Sequence, residues 1–367
     1  MPKNKKLKTH QLFTSNPRVL VKKLLDWYHI NQRILPWRAS FGQTPNSYYV
    51  WLSEMMLQQT TVATVKPYFT RFIKRWPTLK SLSEAHLDDI LWEWQGLGYY
   101  RRARLLHQCA ELIVKKFNGQ FPKTEQELIS LPGLGPYSSA AIAAIAFDQP
   151  ATVVDGNIER IMVRFFAIET PLPQAKSILK KLAGTLTPIQ KAGDYAQALM
   201  DLGSLICTPK NPKCVLCPWQ HSCQALKLDK VSILPIKQKK IEKPTRYGTA
   251  FWIEKNNQHL LLERRPSEGL LGNMMGLPTT PWRGEPWTAK EILKYSPCHA
   301  EWNDLEGSIT HIFTHFKLEL SLKIGKNPIM PNKKLNPNYM WTHTKNLHNH
   351  ALPTVMKKII THKLTNS

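Results

Sequence analysis

The spacing of hydrophobic residues divides the chain into two regions with different periodicities. From residue 17 to about 223, apolar residues recur at intervals of three and four, as in amphipathic helices. Beyond about residue 247, short runs alternate between apolar and polar residues, as in strands. The pattern therefore predicts a mainly α-helical N-terminal domain followed by a smaller α+β domain.

Individual elements can be predicted from the same pattern. Helices are predicted over 19–30, 48–62, 84–95, 101–117, 125–131, 138–147, 157–168 and 174–186. Thr124 and Glu127 have the spacing of a capping box, which predicts the start of the helix 125–131. Strands are predicted over 248–253, 259–263 and 316–324.

A change of composition separates the two regions. Residues 228–247 are basic, contain proline and lack periodicity, which is typical of a linker. We therefore expect a basic tail at 1–16, a helical domain at 17–227, this linker, and a second domain at 248–360.

The charge balance restricts the class of partner. The chain has 50 Lys and Arg against 26 Asp and Glu, a net charge of +24. Such a charge favours polyanions, which include DNA, RNA and anionic membranes. No signal peptide follows the basic N-terminus, and no apolar run reaches the roughly 18 residues of a membrane span. We expect a soluble, monomeric, cytoplasmic protein, associated with the nucleoid if it is bacterial.

Four of the six cysteines are clustered at 207–223. Cys207, Cys214, Cys217 and Cys223 have the spacing C-x6-C-x2-C-x5-C. Zinc usually takes paired CxxC knuckles or mixtures of Cys and His, whereas this spacing has one CxxC and two outlying cysteines. A [4Fe–4S] cluster suits the spacing better. Zinc and four unrelated structural thiols remain as alternatives.

A glycine-rich turn joins two predicted helices. Residues 131–136 read LPGLGP, and Gly133 and Gly135 permit backbone conformations that other residues disfavour. The free N–H groups at the start of the following helix form an anion site. This combination predicts a helix–hairpin–helix over 124–147 that grips DNA phosphates, with an ordinary interhelical turn as the alternative.

Two acidic residues occupy unusual positions. Glu54 shares one face of its predicted helix with Trp51 and Leu57. A carboxyl group there either reaches water at the edge of the stripe or is desolvated, with a raised pKa that retains a proton near neutrality. Asp155 precedes the predicted helix 157–168 as a candidate N-cap. Cap hydrogen bonds and the helix dipole predict a lowered pKa and an ionised carboxylate.

Six stretches form one combination of motifs. They are the hairpin, residues 154–157 (VDGN), the cysteine loop, and residues 35–38 (LPWR), 50–60 (VWLSEMMLQQT) and 96–104 (GLGYYRRAR). The first three resemble the endonuclease III superfamily of base-excision glycosylases, and the last three narrow the resemblance to its MutY adenine glycosylases. The resemblance runs from about residue 17 to 320.

This resemblance implies roles for four residues. Glu54 matches the general acid that protonates adenine N7, and Asp155 matches the carboxylate that stabilises the oxocarbenium-like sugar. Tyr137 and Asn157 match active-site positions that orient the water or the carboxylates. Strand-cleaving relatives have a lysine nucleophile where this chain has Tyr137, so the resemblance implies a monofunctional glycosylase.

The resemblance also implies residues that read the lesion. Enzymes that act on a duplex base flip it out and brace the gap. Gln59 and Tyr99 match residues that wedge beside the oxidised guanine, with Leu57 near them. Trp37 and Arg38 match positions near the adenine pocket.

The C-terminal region resembles the Nudix-like domain of MutY proteins. Residues 260–266 (LLLERRP) and 276–278 (GLP) carry this resemblance. A Nudix hydrolase needs a Glu-rich helix for Mg²⁺, and the sequence has no REx2EE-like run. We therefore expect recognition without hydrolysis. Phe313, Thr314 and His315 match a Phe-Ser-His loop that contacts 8-oxoguanine in the family.

The resemblance leads to one hypothesis and leaves three alternatives. It implies a base-excision glycosylase that removes adenine opposite 8-oxoguanine or guanine in double-stranded DNA and holds a [4Fe–4S] cluster. A thymine- or pyrimidine-excising relative is the alternative within enzymes of this kind. A catalytically silent iron–sulfur DNA-binding protein and a Nudix pyrophosphohydrolase with a DNA-binding arm belong to other classes.

Overall fold

The computed structural model describes residues 16–40, 42–238, 242–256, 258–330 and 336–366. The predicted basic tail lies outside the described residues except for its last position. The chain forms two compact units, the first from Met1–Glu84 and Gln108–Lys239, the second from Ala85–His107 and Lys240–Ser367. No helix in the described residues has the length and apolar character needed to cross a membrane.

Helices dominate the first unit and recur at a few places in the second. In chain order they are α1 (Pro17–Asn31), α2 (Ser47–Leu57), α3 (Val62–Arg75), α4 (Leu79–Ser83), α5 (Leu87–Glu93), α6 (Arg101–Phe117), α7 (Glu125–Leu128), α8 (Pro136–Phe147), α9 (Gly156–Phe165), α10 (Lys176–Gly184), α11 (Ala192–Leu205), α12 (Gln224–Lys227), α13 (Ala289–Leu293) and α14 (Thr354–Thr365). The helices α5, α13 and α14 belong to the second unit, and α6 runs from the second unit into the first.

The predicted helix 48–62 ends early, and a turn separates it from the next helix. The first, α2, ends at Leu57, and Gln59 has a left-handed backbone with φ 58°. Thr61 then caps α3, because its hydroxyl accepts a hydrogen bond from the Thr64 N–H. The apolar run continues through the turn, so periodicity alone did not locate the break. The turn leaves Glu54 inside α2 and exposes Gln59.

The helices α3 and α11 of the first unit were not predicted, nor were the short helices α4 and α12. Pro67 lies inside α3, and α11 contains Gly193 and Gly203, residue types that disfavour helix interiors. In α11 the glycines permit close packing. A Cβ on Gly193 would lie 2.7 Å from the Ala144 carbonyl oxygen, and one on Gly203 would lie 2.6 Å from the Asn157 Cβ.

The helix α8 lies at the centre of the first unit. Its residues from Ser138 to Ala146 are all buried, and most are alanine or serine. Small side chains let α2, α7 and α11 approach its axis closely. This arrangement brings the start of α8 next to α2.

The predicted linker is partly anchored in the structure. Leu234 is buried, its carbonyl accepts a hydrogen bond from Arg164, and the Ile236 carbonyl accepts one from the Leu172 N–H. The first strand of the second unit already begins at Thr245. The Arg164 side chain and the Leu172 backbone N–H of the helical unit therefore hold residues 234–236, which composition alone did not indicate.

A six-stranded mixed sheet forms the core of the second unit. Its strands are β1 (Thr245–Lys255), β2 (His259–Arg264), β3 (Met275–Gly276), β4 (His299–Ile312), β5 (Lys317–Ile329) and β6 (Tyr339–His343). The order is β3-β2-β1-β5-β4, with β6 paired to β2. β1 and β5 are parallel, with Ala250 opposite Leu322, and the other pairs are antiparallel. The helix α14 packs against β4 and β5.

The segment Ala85–His107 is built into this second unit, although its periodicity places it with the helical domain. Asp88 on α5 forms a bidentate ion pair with Arg264, and both N···O distances are 2.8 Å. The Trp92 indole N–H donates to the His348 carbonyl at 2.9 Å, and the Gln95 amide donates to the His350 carbonyl at 3.2 Å. Long-range polar contacts of this kind leave no periodic trace in a sequence.

Candidate active site and metal centre

A cleft of about 1750 Å³ opens in the first unit. Its walls come from the ends of α1 and α2, the hairpin before α8, the start of α9 and one face of α11. The predicted site residues that line it are Trp37, Arg38, Glu54, Leu57, Gln59, Gly133, Gly135, Tyr137, Asp155 and Asn157. The structure thus brings the predicted catalytic residues together.

Glu54 is a buried carboxyl group in the wall of this cleft. Only 5 % of the residue is exposed, and among the described residues its Oε2 atom has no hydrogen-bond partner. Burial raises the pKa of Glu54 to about 7, helped by the nearby Asp155 charge and opposed by Tyr137 and Arg38. A carboxyl group with this pKa holds a proton near neutrality and can transfer it.

The hydroxyl of Tyr137 faces Glu54. Tyr137 is in the first turn of α8, directly after Pro136, so the hairpin fixes its position. Burial raises the pKa of Tyr137 well above its usual range, and the charges of Glu54 and Asp155 add to the effect. The phenol therefore stays neutral and acts as a hydrogen-bond donor beside the acid.

Asp155 caps α9, as the sequence predicts. Its carboxylate accepts from the Ile158 N–H at 2.7 Å and from the Asn157 side-chain amide at 3.0 Å. The prediction of a lowered pKa is wrong, because burial raises the pKa of Asp155 despite these bonds and the Arg160 charge. Desolvation outweighs the cap, so Asp155 is a less stable anion than an exposed N-cap would be.

Arg38 lines the cleft, but its guanidinium group is occupied by a buried partner. Its two terminal nitrogens donate to Asp201 at 2.6 and 2.8 Å. Arg33 donates to the same carboxylate, and the side chain of Asp201 is fully buried on α11. Sequence reasoning missed both Arg33 and Asp201, because α11 was not predicted and an aspartate 163 residues away gives no local signal.

The remaining predicted residues on this side of the cleft differ in exposure. Trp37 is 7 % exposed and packs edge-on against Phe69, so most of its ring belongs to the core. Leu57 is half-buried, whereas Gln59 is exposed in its left-handed conformation. Positive φ at a residue other than glycine is typical of functional turns.

The hairpin between α7 and α8 has the predicted geometry for backbone donors. Gly133 has φ 80°, which only glycine adopts without strain, and Gly135 precedes α8 without a side-chain cap. Gln58 was missed by sequence reasoning, which went no further than its neighbour Gln59. Its amide donates to the Gly133 carbonyl and to the Ser138 hydroxyl, both at 3.2 Å. It thereby joins the end of α2 to the hairpin.

The four clustered cysteines surround one small cavity. Cys207, Cys214, Cys217 and Cys223 all line it, and all four are free thiols. Within the described ranges no three His, Cys, Asp or Glu side chains are grouped closely enough to hold a single metal ion. The four thiols line the cavity without converging on one point. This arrangement suits a four-iron cluster, because each iron binds one cysteine.

Two arginines of α9 connect this loop to the rest of the unit. Arg160 donates to the carbonyls of Cys207 and Gly203 at 2.7 and 2.6 Å, and to the Asn157 side chain at 2.9 Å. Arg164 is 2 % exposed and donates to the Thr208 carbonyl and the Cys207 sulfur. Sequence reasoning missed both, since arginines four apart on a helix usually mark a solvated face.

The predicted lesion-reading residues Tyr99 and Thr314 meet in the second unit. Tyr99 is 45 % exposed, has φ 48°, and its hydroxyl lies 2.9 Å from that of Thr314. Phe313 is half-buried against Trp282 and Phe316, so it anchors the turn 313–316. Thr314 and His315 are exposed at the tip of that turn.

Comparison with known proteins identifies the family. Residues 52–188 match the HhH-GPD superfamily of base excision DNA repair proteins, 207–223 the iron-sulfur binding domain of endonuclease III, and 249–362 the NUDIX domain. An adenine DNA glycosylase of Buchnera aphidicola from Schizaphis graminum is 36% identical over 357 residues, covering 92% of this chain and 96% of that protein. The chain belongs to the adenine DNA glycosylase family. The family resemblance predicted from the motifs is confirmed.

A mammalian protein agrees with this family membership, and a solved glycosylase structure is similar to part of the chain. The adenine DNA glycosylase of Homo sapiens is 31% identical, covering 92% of this chain and 72% of that protein. A solved structure of a thermostable thymine-DNA glycosylase has a TM-score of 0.52 and 27% identity, covering 58% of this chain and 97% of that one.

Membership in the adenine DNA glycosylase family confirms several predictions together. The protein is a base-excision repair enzyme whose substrate is DNA. The predicted fold class, helical glycosylase domain plus Nudix-like domain, is confirmed. The [4Fe–4S] cofactor is confirmed by the match at 207–223, which spans the clustered cysteines. Zinc and unrelated structural thiols are thereby set aside.

Proposed function

We propose that this glycosylase hydrolyses the bond between adenine and deoxyribose where adenine is paired with 8-oxoguanine or guanine, and leaves the DNA strand uncut. The observation that carries the proposal is the buried Glu54, with a pKa of about 7, beside Tyr137 and Asp155 in one cleft. The comparisons assign the enzyme class, and the proposed residue roles are those that the family resemblance implies, supported by the geometry of the cleft.

In this proposal Glu54 is the general acid. An adenine flipped into the cleft presents N7 to the unpartnered Oε2 of Glu54, which protonates it. The protonated base is a better leaving group, so the bond from N9 to C1′ breaks and the electron pair stays with the base. Tyr137 orients the carboxyl group through its neutral hydroxyl.

Asp155 stabilises the positive charge that develops on the sugar. Its carboxylate is held by the Ile158 N–H and by the Asn157 amide, so it points in a fixed direction without reorganisation. Water attacks C1′ of the oxocarbenium-like sugar and releases one proton to the solvent, which yields an abasic site. Asn157 keeps Asp155 oriented through this step.

The lack of lyase activity follows from the residue at position 137. Strand cleavage by a Schiff base needs an amine nucleophile, and Tyr137 presents a phenol instead. Borohydride trapping should therefore give little covalent adduct with abasic DNA. The variant Tyr137→Lys would supply the amine at the same position and serves as a positive control.

Reading of the lesion is assigned to exposed side chains on turns. Gln59 and Tyr99 have strained backbones and exposed side chains, which suits residues that insert between the bases of double-stranded DNA. Leu57 supports Gln59 from the end of α2. Thr314 and His315, at the tip of the turn anchored by Phe313, would contact 8-oxoguanine.

The remaining predicted residues hold the base and the DNA backbone. The cluster ligands in this proposal are Cys207, Cys214, Cys217 and Cys223. The backbone N–H groups near Gly133 and Gly135 would bind a phosphate of the DNA. Trp37 forms an apolar wall of the base pocket and Arg38 a positively charged one.

The test is single-turnover excision on duplexes that carry one defined pair. We expect alkali-dependent cleavage at adenine, fastest opposite 8-oxoguanine and slower opposite guanine. Duplexes with T·G and with thymine glycol serve as controls for relatives that excise pyrimidines. Cutting of T·G while A·8-oxoguanine stays intact would overturn the proposed specificity, and absence of all cutting by cluster-loaded protein would favour a silent DNA-binding protein.

A further inference from the structure

Asp201 is a fully buried carboxylate that accepts hydrogen bonds from two arginines. From Arg33 it accepts the backbone N–H at 2.9 Å and the side-chain Nε–H at 2.5 Å. From Arg38 it accepts both terminal N–H groups, at 2.6 and 2.8 Å. Four donors on one carboxylate fix both arginine side chains, because neither can rotate without breaking a charge-assisted hydrogen bond.

The two arginines are part of the cleft that contains Glu54. Both line it, and the Arg38 charge opposes the rise in the pKa of Glu54. The other groups that act on Glu54 are Tyr137 and Asp155. The Asp201 carboxylate is hydrogen-bonded to the same Arg38 guanidinium group whose charge acts on Glu54.

Further charged and titratable groups surround the arginines. Tyr28 on α1 lies under Arg38, with the guanidinium carbon 5.9 Å from the ring centre. Arg33, Asp201 and Asp194 also affect Tyr28 electrostatically. Tyr28 remains neutral, since burial raises its pKa to about 12, so Asp201 is the anion in direct contact with both guanidinium groups.

We propose that Asp201 is a positioning residue, which locks Arg33 and Arg38 in the cleft wall and balances their charge beside the general acid. This inference rests on the proposed role of Glu54. Without the Asp201 charge, the Arg33 and Arg38 guanidinium groups would lose the carboxylate that is hydrogen-bonded to both. Positive charge favours an ionised carboxyl group, so Glu54 would lose its proton at lower pH.

The test is a double-mutant cycle measured as the pH dependence of single-turnover excision. In Asp201→Asn the limb in which the rate falls with rising pH should move down by about one pH unit. In Arg38→Gln it should move up, because the opposing positive charge is removed. If Asp201 acts on Glu54 by balancing the Arg38 charge, the two shifts should not be additive, and Asp201→Asn should move the limb less in the Arg38→Gln background than in the wild type. Asp26→Asn, which removes an exposed carboxylate paired with Lys22, is the charge-matched control and should leave the limb in place.

The outcomes separate this inference from the proposed function. A folded, cluster-loaded Asp201→Asn protein with an unmoved limb would show that Asp201 is only a structural ion pair. If that variant does not fold, Arg38→Gln decides, and an unmoved limb there overturns the inference. A wild-type enzyme that excises adenine without a falling limb near pH 7 would instead overturn the role of Glu54.

Discussion

The hydroxyl of Tyr99 lies 2.9 Å from that of Thr314, although 215 residues separate them in the chain. Both residues belong to the second unit. Tyr99 comes from a turn of the segment Ala85–His107, whereas Thr314 comes from the turn between β4 and β5. The hydrogen bond therefore joins a candidate wedge to a candidate lesion contact.

Removal of the Thr314 hydroxyl should weaken discrimination between lesions. In Thr314→Val the side-chain shape is kept, but Tyr99 loses its hydrogen-bond partner. We expect the free energy that distinguishes the two mispairs to fall by about 1 kcal/mol, the size of one hydrogen bond. We expect the ratio of excision rates for A·8-oxoguanine and A·G to fall by about fivefold. Single-turnover kinetics on both duplexes measure this ratio.

The matched control for this hydrogen bond is Thr314→Ser. It keeps the hydroxyl and should preserve the ratio, and Tyr99→Phe should reproduce the effect of Thr314→Val. Because Thr314 is exposed, the melting temperature should change little in any of these variants. An unchanged ratio in both Thr314→Val and Tyr99→Phe would exclude a role for the hydroxyl pair.

The activity should depend on protonated Glu54. With the pKa of Glu54 at about 7, the excision rate should fall as the pH rises above 7, because the ionised form cannot protonate the base. Glu54→Gln cannot donate a proton and should lose at least about 1000-fold in rate while still binding the mispair. Rate–pH profiles and a binding titration test both statements, and substantial excision by Glu54→Gln would contradict them.

The same pKa predicts how stability depends on pH. The folded pKa of Glu54, about 7, exceeds its ordinary value of 4.5, so its contribution is fully present below pH 4.5 and is lost as the pH rises through 7. Glu54→Gln removes this titration. At pH 8 the variant should be more stable than the wild type by at most about 3 kcal/mol, and the difference should shrink towards pH 5. Thermal unfolding at several pH values measures the difference in stability between the two proteins. A difference that does not change with pH would contradict this prediction.

Asp155 should affect stability and chemistry separately. Asp155→Asn can still accept the cap bond from Ile158 N–H but lacks the negative charge, so excision should fall by at least about 100-fold with little loss of stability. Asp155→Ala should lose the cap as well and unfold more easily by about 1 kcal/mol. Since burial raises the pKa of Asp155, wild-type excision should also fall at low pH. Denaturant unfolding measures the stability of each variant, and single-turnover assays measure its excision rate. An Asp155→Asn protein that excises adenine at the wild-type rate would contradict the role of the charge.

The packing of Gly203 against Asn157 should be sensitive to one methyl group. In Gly203→Ala the new Cβ would lie 2.6 Å from the Asn157 Cβ, so α9 and its capping residue must shift. We expect a loss of about 1–3 kcal/mol in stability and slower excision.

Gly184→Ala is the matched control for this packing. Its Cβ would meet only the Thr152 hydroxyl at 3.3 Å, so the change in stability should be small and the excision rate unchanged. Chemical denaturation and single-turnover rates compare the two variants. Equal behaviour of both would show that the contact at Gly203 is not restrictive.

The sequence predicted the helices whose ends carry local signals. The capping box at Thr124 and Glu127 forms as predicted, and Asp155 caps α9. The break between α2 and α3 was missed because the apolar run continues through it. The helix α11 was missed because its glycines, which disfavour helix formation locally, serve a tertiary contact.

The candidate site was predicted better by motif than by local chemistry. Periodicity alone left Glu54 at the edge of a stripe, and only the resemblance assigned it a proton. The predicted pKa direction of Asp155 was wrong, because local capping predicts stabilisation of the charge whereas burial, which depends on the tertiary fold, raises the pKa. Asp201, which holds Arg38, lies on a helix that the pattern did not indicate.

The grouping of Ala85–His107 with the C-terminal unit has a consequence for dividing the gene. A fragment that starts at residue 240 would lack Asp88, Trp92 and Gln95, the partners of Arg264, His348 and His350. Its counterpart would keep α5 without those partners. The two units are therefore not interchangeable cassettes, and a chimera that exchanges only the C-terminal half must carry residues 85–107 of the same parent to keep Tyr99 as the partner of Thr314.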